Sequence, residues 1–183
     1  MPTQLTAETL RNLSLFADLS KSDVDALLPS FEELTYPADG VIFRKGEFDP
    51  ALYVLLKGSV EISLDVPGSH DAVIVRLEPK GVFGESSFFH PAPHGATARC
   101  VSPSVALRLS HGEYQRLLQT GSMAATQLGT KAAQILAARL QATDHWVVEL
   151  LAEEQQHVTA NWRRFREKLG GSFDLPHGFM HAT

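Results

Sequence analysis

The residues with the most chemical content lie in the stretch Gly81-Val-Phe-Gly-Glu-Ser-Ser-Phe-Phe-His-Pro-Ala-Pro-His-Gly-Ala-Thr-Ala98. Gly84 lets the backbone turn closely, and a short helical turn is expected from Ser86. Helix N-termini carry unpaired N–H groups and a partial positive charge, so they favour anions. Ser86 and Ser87 add hydroxyl donors at the same place. Glu85 is suited to accept hydrogen bonds from a sugar hydroxyl rather than to touch a phosphate, or alternatively to serve as a helix-capping carboxylate. His90 and His94 are four residues apart, but the intervening Pro91 and Pro93 deny them helical spacing, so no metal ligand is assigned. His177 and His181 fare no better. The sequence holds no nucleophile–base constellation, Gly-x-Ser-x-Gly elbow, phosphate-loop lysine motif or zinc signature. No catalytic residue is assigned, and the chain reads as a non-enzyme.

The elements around this stretch are legible from turn residues and periodicity. Nine of the ten prolines lie at or before Pro103, and seven of the 13 glycines fall between Gly40 and Gly95. Short apolar runs at 31–36, 41–43, 52–56, 60–64, 73–77 and 105–109 read as strands, with 96–101 as a seventh. Gly46, Gly58, Gly68 and Gly81 punctuate them. Ser20-Lys-Ser-Asp23 is a capping-box-like start for a helix running to Leu28. From Ser122 to about Leu169 apolar residues recur at helical spacing, with a break expected near Thr143–His145. The fold class this predicts is mainly β with flanking helices: a jelly-roll barrel followed by a long C-terminal helix. Residues 1–120 form the barrel with its N-terminal helices, 121–169 the helix or helix pair, and 170–183 a loose tail. A helix that long cannot bury its whole apolar stripe on a small barrel, so a homodimer through it is expected; the plainer alternative is two helices folded back in a monomer.

Composition narrows the classes. The chain has 183 residues with 16 basic and 21 acidic side chains, a formal charge of −5. All of that imbalance falls in residues 1–120, which hold 10 basic and 15 acidic groups, leaving 6 of each beyond. Neither half reads as a basic nucleic-acid binder. The one interleaved basic patch, Asn161-Trp-Arg-Arg-Phe-Arg-Glu-Lys168, reads as the solvated face of a helix end. The longest apolar run, 51–56, is far below the roughly 20 residues of a membrane span. A single cysteine, Cys100, excludes a disulfide framework and reads as a small buried hydrophobe. With no basic-then-apolar N-terminal segment, the expected setting is the cytoplasm, with no membrane partner.

The motif resembles the phosphate-binding cassette of the cyclic-nucleotide-binding domain family, the sensor module of catabolite-activator-type regulators and cyclic-nucleotide-dependent kinases. Leu15-Phe16, Leu19-Ser20, Gly40, Ile42, Gly46, Tyr53, Gly58, Val60-Glu61, Leu77 and Gly81 fall in the family's register, covering roughly residues 10–145. The family cassette reads Phe-Gly-Glu, a short helix, then Pro-Arg-x-Ala-Thr. Phe83-Gly84-Glu85, Pro93, Ala96 and Thr97 match it, while His94 stands at the arginine position. The resemblance implies ligand-binding residues Gly84, Glu85, Ser86, Ser87, His94, Gly95, Ala96 and Thr97. It implies cyclic AMP as the ligand, because Gly95 lacks the hydroxyl that accompanies cyclic GMP.

Losing one partner of a buried charge pair typically costs ~2–5 kcal/mol, or roughly 30-fold to several thousand-fold in affinity. Histidine has no bidentate fork, and Arg99 lies outside the matched position. His94 is therefore a phosphate contact, a pH-sensitive contact, or a solvated loop histidine. The function implied is a small regulatory protein that binds cyclic AMP weakly. The alternative is a ligand-independent scaffold or interaction module with a degenerate pocket. A third reading, a DNA-binding regulator, is disfavoured because about 39 residues remain after residue 145, too few for a winged helix-turn-helix.

Overall fold

The structure, a computed structural model, describes residues 7–65 and 72–153. The chain enters through α1 (Ala7–Arg11), a 3-10 turn at Ser14–Phe16 and α2 (Lys21–Leu27). The expected capping box is present: the Ser20 hydroxyl accepts from the Asp23 N–H at 3.1 Å, and the Asp23 carboxylate accepts from the Ser20 N–H at 3.3 Å. Two orphan donors are thereby satisfied at once. A 3-10 turn at Leu28–Ser30 then leads into the strands.

Eight strands follow: β1 (Glu32–Tyr36), β2 (Val41–Phe43), β3 (Ala51–Lys57), β4 (Val60–Leu64), β5 (Ala72–Leu77), β6 (Val82–Phe83), β7 (Thr97–Cys100) and β8 (Ser104–Ser110). They build two antiparallel sheets of order β1-β8-β3-β6 and β2-β7-β4-β5, the double sheet of a jelly roll. Every strand expected from the sequence occurs. The two-residue β6 was not expected, because Val82-Phe83 is too short to show a period. Three helices complete the described chain: α3 (Glu85–Phe89) between β6 and β7, α4 (His111–Gln119) after β8, and α5 (Met123–Glu153). The structure places α3 one residue earlier than Ser86, and α4 was not anticipated.

β3 explains why its sequence is a continuous apolar run. Leu52 and Val54 enter one apolar cluster, while Ala51, Tyr53 and Leu55 enter a second. A strand buried on both faces has no polar alternate positions. β6 divides the same way, Val82 to the first cluster and Phe83 to the second. The first cluster joins these residues to Leu10, Leu15 and Phe16 and to Ala125, Leu128 and Ala132 of α5. The second gathers Phe43, Val60, Leu77, Ala98 and Cys100 between the sheets. Cys100 is a free, buried thiol.

Two glycines are dictated by the backbone. Gly84 has φ +80°, where a Cβ would press into the Ala51 carbonyl oxygen and lie 2.9 Å from the Tyr53 ring. Gly58 has φ +87°, with the Pro103 carbonyl oxygen 2.6 Å from where a Cβ would sit.

The chain falls into two units, 1–138 and 139–183. In the first, α5 packs so closely on α4 that a Cβ on Gly129 would collide with the Tyr114 hydroxyl. In the second, α5 continues unbroken through Thr143–His145, where the sequence suggested an interruption, and Thr143 satisfies its hydroxyl on the Arg139 carbonyl at 3.0 Å. No helix among the described residues is long and apolar enough to cross a membrane. The basic patch at 161–168, His177 and His181, and the expected tail lie outside the described residues.

Candidate functional site

The cassette is built from three pieces that the two sheets hold together. Gly84 in its left-handed conformation turns the chain out of β6 and becomes the N-cap of α3. The helix is pinned from behind by Phe88, which is buried against Tyr114 at 4.9 Å between ring centroids. His111 donates from Nδ1 to the Phe88 carbonyl at 2.7 Å and fixes the same turn. The return segment then pairs with the β2–β3 loop: Gly46 N–H donates to the His94 carbonyl at 2.8 Å, and His94 N–H donates to the Glu47 carbonyl at 2.9 Å. Thr97 adds a further tie, its hydroxyl oxygen accepting from the Lys45 N–H at 3.1 Å.

The site residues expected from the sequence share this region but not one environment. Glu85, at the first position of α3, is only 6% exposed. Ser86 is exposed, whereas Ser87 is buried and its hydroxyl reaches the Gly84 carbonyl at 3.1 Å. The two serines therefore do not form the paired donor site anticipated. Gly95 is exposed with open space where a Cβ would lie, and Ala96 and Thr97 are half-buried.

His94 is 4% exposed, which overturns the reading of a solvated loop histidine. Its ring stacks on Phe43 with centroids 3.8 Å apart and planes 9° from parallel. Nε2 lies 3.0 Å from the Asp49 carbonyl oxygen and Nδ1 lies 3.0 Å from the Ser87 hydroxyl. A carbonyl only accepts, so Nε2 carries a proton and the neutral ring offers the Nδ1 lone pair to Ser87. Burial lowers the His94 pKa; the Asp49 carbonyl bond and the charges of Asp49 and Glu47 pull the other way without restoring it. Arg99, the nearest arginine along the chain, donates to the Asp39 carbonyl at 3.0 Å.

Behind His94 is a polar cluster that no motif announced. The Asp49 carboxylate takes Arg108 Nη2 at 2.5 Å and the Tyr53 hydroxyl at 3.1 Å. Arg108 Nη1 also reaches Glu32 at 3.2 Å. Burial pushes the Asp49 carboxyl up, but hydrogen bonding and charge from Arg108, with the Tyr53 hydroxyl, outweigh it and hold the group below its usual range. Tyr53 is raised by burial and by Asp49, far above the ordinary phenol. Tyr53 and Arg108 are register partners on β3 and β8, so one sheet face delivers both to Asp49. The one available signal was Arg108 itself, a lone charge inside the apolar strand Val105-Ala-Leu-Arg-Leu109.

Among the described residues no group of three His, Cys, Asp or Glu side chains is placed to hold a metal. The site offers a buried carboxylate, a turned-out backbone and a histidine closed on the protein.

Comparison with known proteins agrees with this geometry. The cyclic AMP receptor protein of Thermus thermophilus is 28% identical over 175 residues, covering 94% of this chain and 79% of that one. A crystal structure of the Thermus thermophilus catabolite activator protein superposes with a TM-score of 0.67 at 28% identity, covering 76% of this chain and 63% of that chain. The chain thus spans less than two thirds of that solved protein. A cAMP-dependent protein kinase regulatory subunit of Dictyostelium discoideum is 26% identical over 117 residues, covering 62% of this chain and 36% of the relative. Residues 33–121 match the family model of the cyclic nucleotide-binding domain.

Proposed function

We propose that this protein is a cytoplasmic, non-catalytic regulatory module whose barrel binds cyclic AMP weakly at Gly84, Glu85, Ser86, Ser87, Gly95, Ala96 and Thr97, with His94 at the phosphate end. One observation carries the reading: the cassette backbone is fully built, from left-handed Gly84 through buried Glu85 to the return segment tied to Glu47, while its cationic side chain is replaced. The frame supports a cyclic nucleotide as the ligand, and the missing cation lowers the affinity expected of it more than it changes which ligand is recognised. Regulators and kinase regulatory subunits among its relatives support a signalling role, in which ligand in the barrel biases the disposition of the helices. The exposed Leu140, Trp146 and Val148 of α5 support a homodimer formed through this helix.

Calorimetric titration with cyclic AMP and cyclic GMP tests the proposal. Binding near millimolar cyclic AMP is expected, tightened by roughly 30-fold or more in His94→Arg if the lost charge pair is the deficit. A second reading has its own observation, that both His94 ring nitrogens are already bonded to the protein. On that reading the chain is a ligand-independent interaction module. Absence of heat from both wild type and His94→Arg would decide in its favour.

A further inference from the structure

The hydrogen bonds around His94 can be arranged in two ways, each complete. With a neutral ring, Nε2–H donates to the Asp49 carbonyl and the Ser87 hydroxyl donates to Nδ1. If Nδ1 gains a proton it becomes a donor to the Ser87 oxygen, and the Ser87 hydroxyl needs another acceptor. The Gly84 carbonyl already lies 3.1 Å from it, shared with the Phe88 N–H, and a carbonyl oxygen has two lone pairs. Charging the ring thus strands no polar atom, and hydroxyl rotation is the only movement required. A buried histidine whose proton would strand a partner resists charging far more strongly.

We propose that His94 is a proton switch on the cassette: uptake of one proton at Nδ1 reverses the Ser87 hydroxyl from His94 to Gly84 and gives the site a cation for a phosphate-bearing anion. The inference rests on reading residues 84–97 as the ligand site. The imidazolium keeps both protein partners and acts on the anion through its charge alone. Its surroundings suit the role. From β2 it meets the Phe43 ring; from the β2–β3 loop, the charges of Asp49 and Glu47; from α3, Ser87, with Glu85 two residues earlier. Glu47 is itself paired with Arg44, and Asp49 with Arg108 of β8 and Tyr53 of β3. The nearby acidic charge is therefore partly neutralised, leaving the imidazolium available to an incoming anion. An anion that prefers the charged ring raises its pKa when bound, so affinity rises as pH falls.

The test combines two measurements on the full chain. Calorimetry with cyclic AMP at pH 5.5 and 7.5, in two buffers of different ionisation heat, is expected to show uptake of about one proton at the higher pH and tighter binding at the lower, up to tenfold per pH unit. His94→Gln is expected to bind without proton uptake. Histidine NMR of the ligand-free protein should show neutral His94 protonated at Nε2. Ser87→Ala should lower its pKa, because the hydrogen bond that Ser87 makes to the charged ring is the stronger of the two it loses. Binding with no pH dependence or proton uptake overturns the switch and leaves the cyclic-nucleotide reading standing. No heat at either pH overturns both. An unmoved His94 titration in Ser87→Ala overturns the relay whatever the ligand does.

Discussion

The two apolar clusters on either side of β3 are built alike and finished differently. The helical cluster, around Leu10, Leu15, Phe16, Leu107 and Leu128, is lined by aliphatic and aromatic side chains and closed by helices. The cluster between the sheets is smaller and bordered at one end by two hydrogen-bonded groups that meet at Asp49: Tyr53 and Arg108 on its carboxylate, and His94, with Ser87, on its backbone carbonyl. A dry core depends on packing volume. A core with a polar rim depends also on which atoms are protonated. Substitutions should therefore cost stability on the first side and change pH response or ligand response on the second.

The largest expected effect is on the dry side. Phe16→Ala removes a fully buried ring tilted against Phe31 at 5.5 Å, and should cost about 3–5 kcal/mol in urea denaturation without altering cyclic AMP heats per folded molecule. Gly84→Ala follows. Its left-handed backbone and the Ala51 carbonyl make any Cβ strained, at about 1–3 kcal/mol, and the cassette should lose ligand response as well. If Gly84→Ala proved neutral in both, the cassette would not be the defined structure described. Ser20→Ala removes the α2 cap far from the rim and should cost about 1 kcal/mol, with no change in any pH profile.

The smallest effect is a slope. The folded pKa of His94 lies below its ordinary value of 6.5, so the unfolded chain binds the extra proton first. Its contribution to stability is complete above about pH 6.5 and is lost as pH falls toward the folded pKa. Melting curves from pH 7.5 to 5 should decline more steeply in wild type than in His94→Gln. Equal slopes would erase the distinction between the two cores.

Most of the architecture was legible because turns and periods are local. Gly46, Gly58 and Gly81 sit at chain reversals, and the Ser20–Asp23 box caps the helix it announced. α4 escaped because His111-Gly-Glu-Tyr is a poor opening signal; its actual cap, the Ser110 hydroxyl accepting from the Glu113 N–H at 3.2 Å, is hidden at the end of a strand. The cassette was legible as a motif, but the direction His94 faces was not. That depends on Phe43, Asp49 and Ser87, which approach it from 51, 45 and 7 residues away along the chain. Position along the sequence carries no information about which of three partners captures a ring. The Asp49–Arg108 pair, 59 residues apart, was invisible for the same reason.

The stacking of His94 on Phe43 also has a spectroscopic consequence. A ring lying parallel at 3.8 Å over an aromatic face sits in its shielding cone, so the His94 carbon-bound protons should resonate well upfield of those of an exposed histidine. Among eight histidines in the chain, this one would label itself.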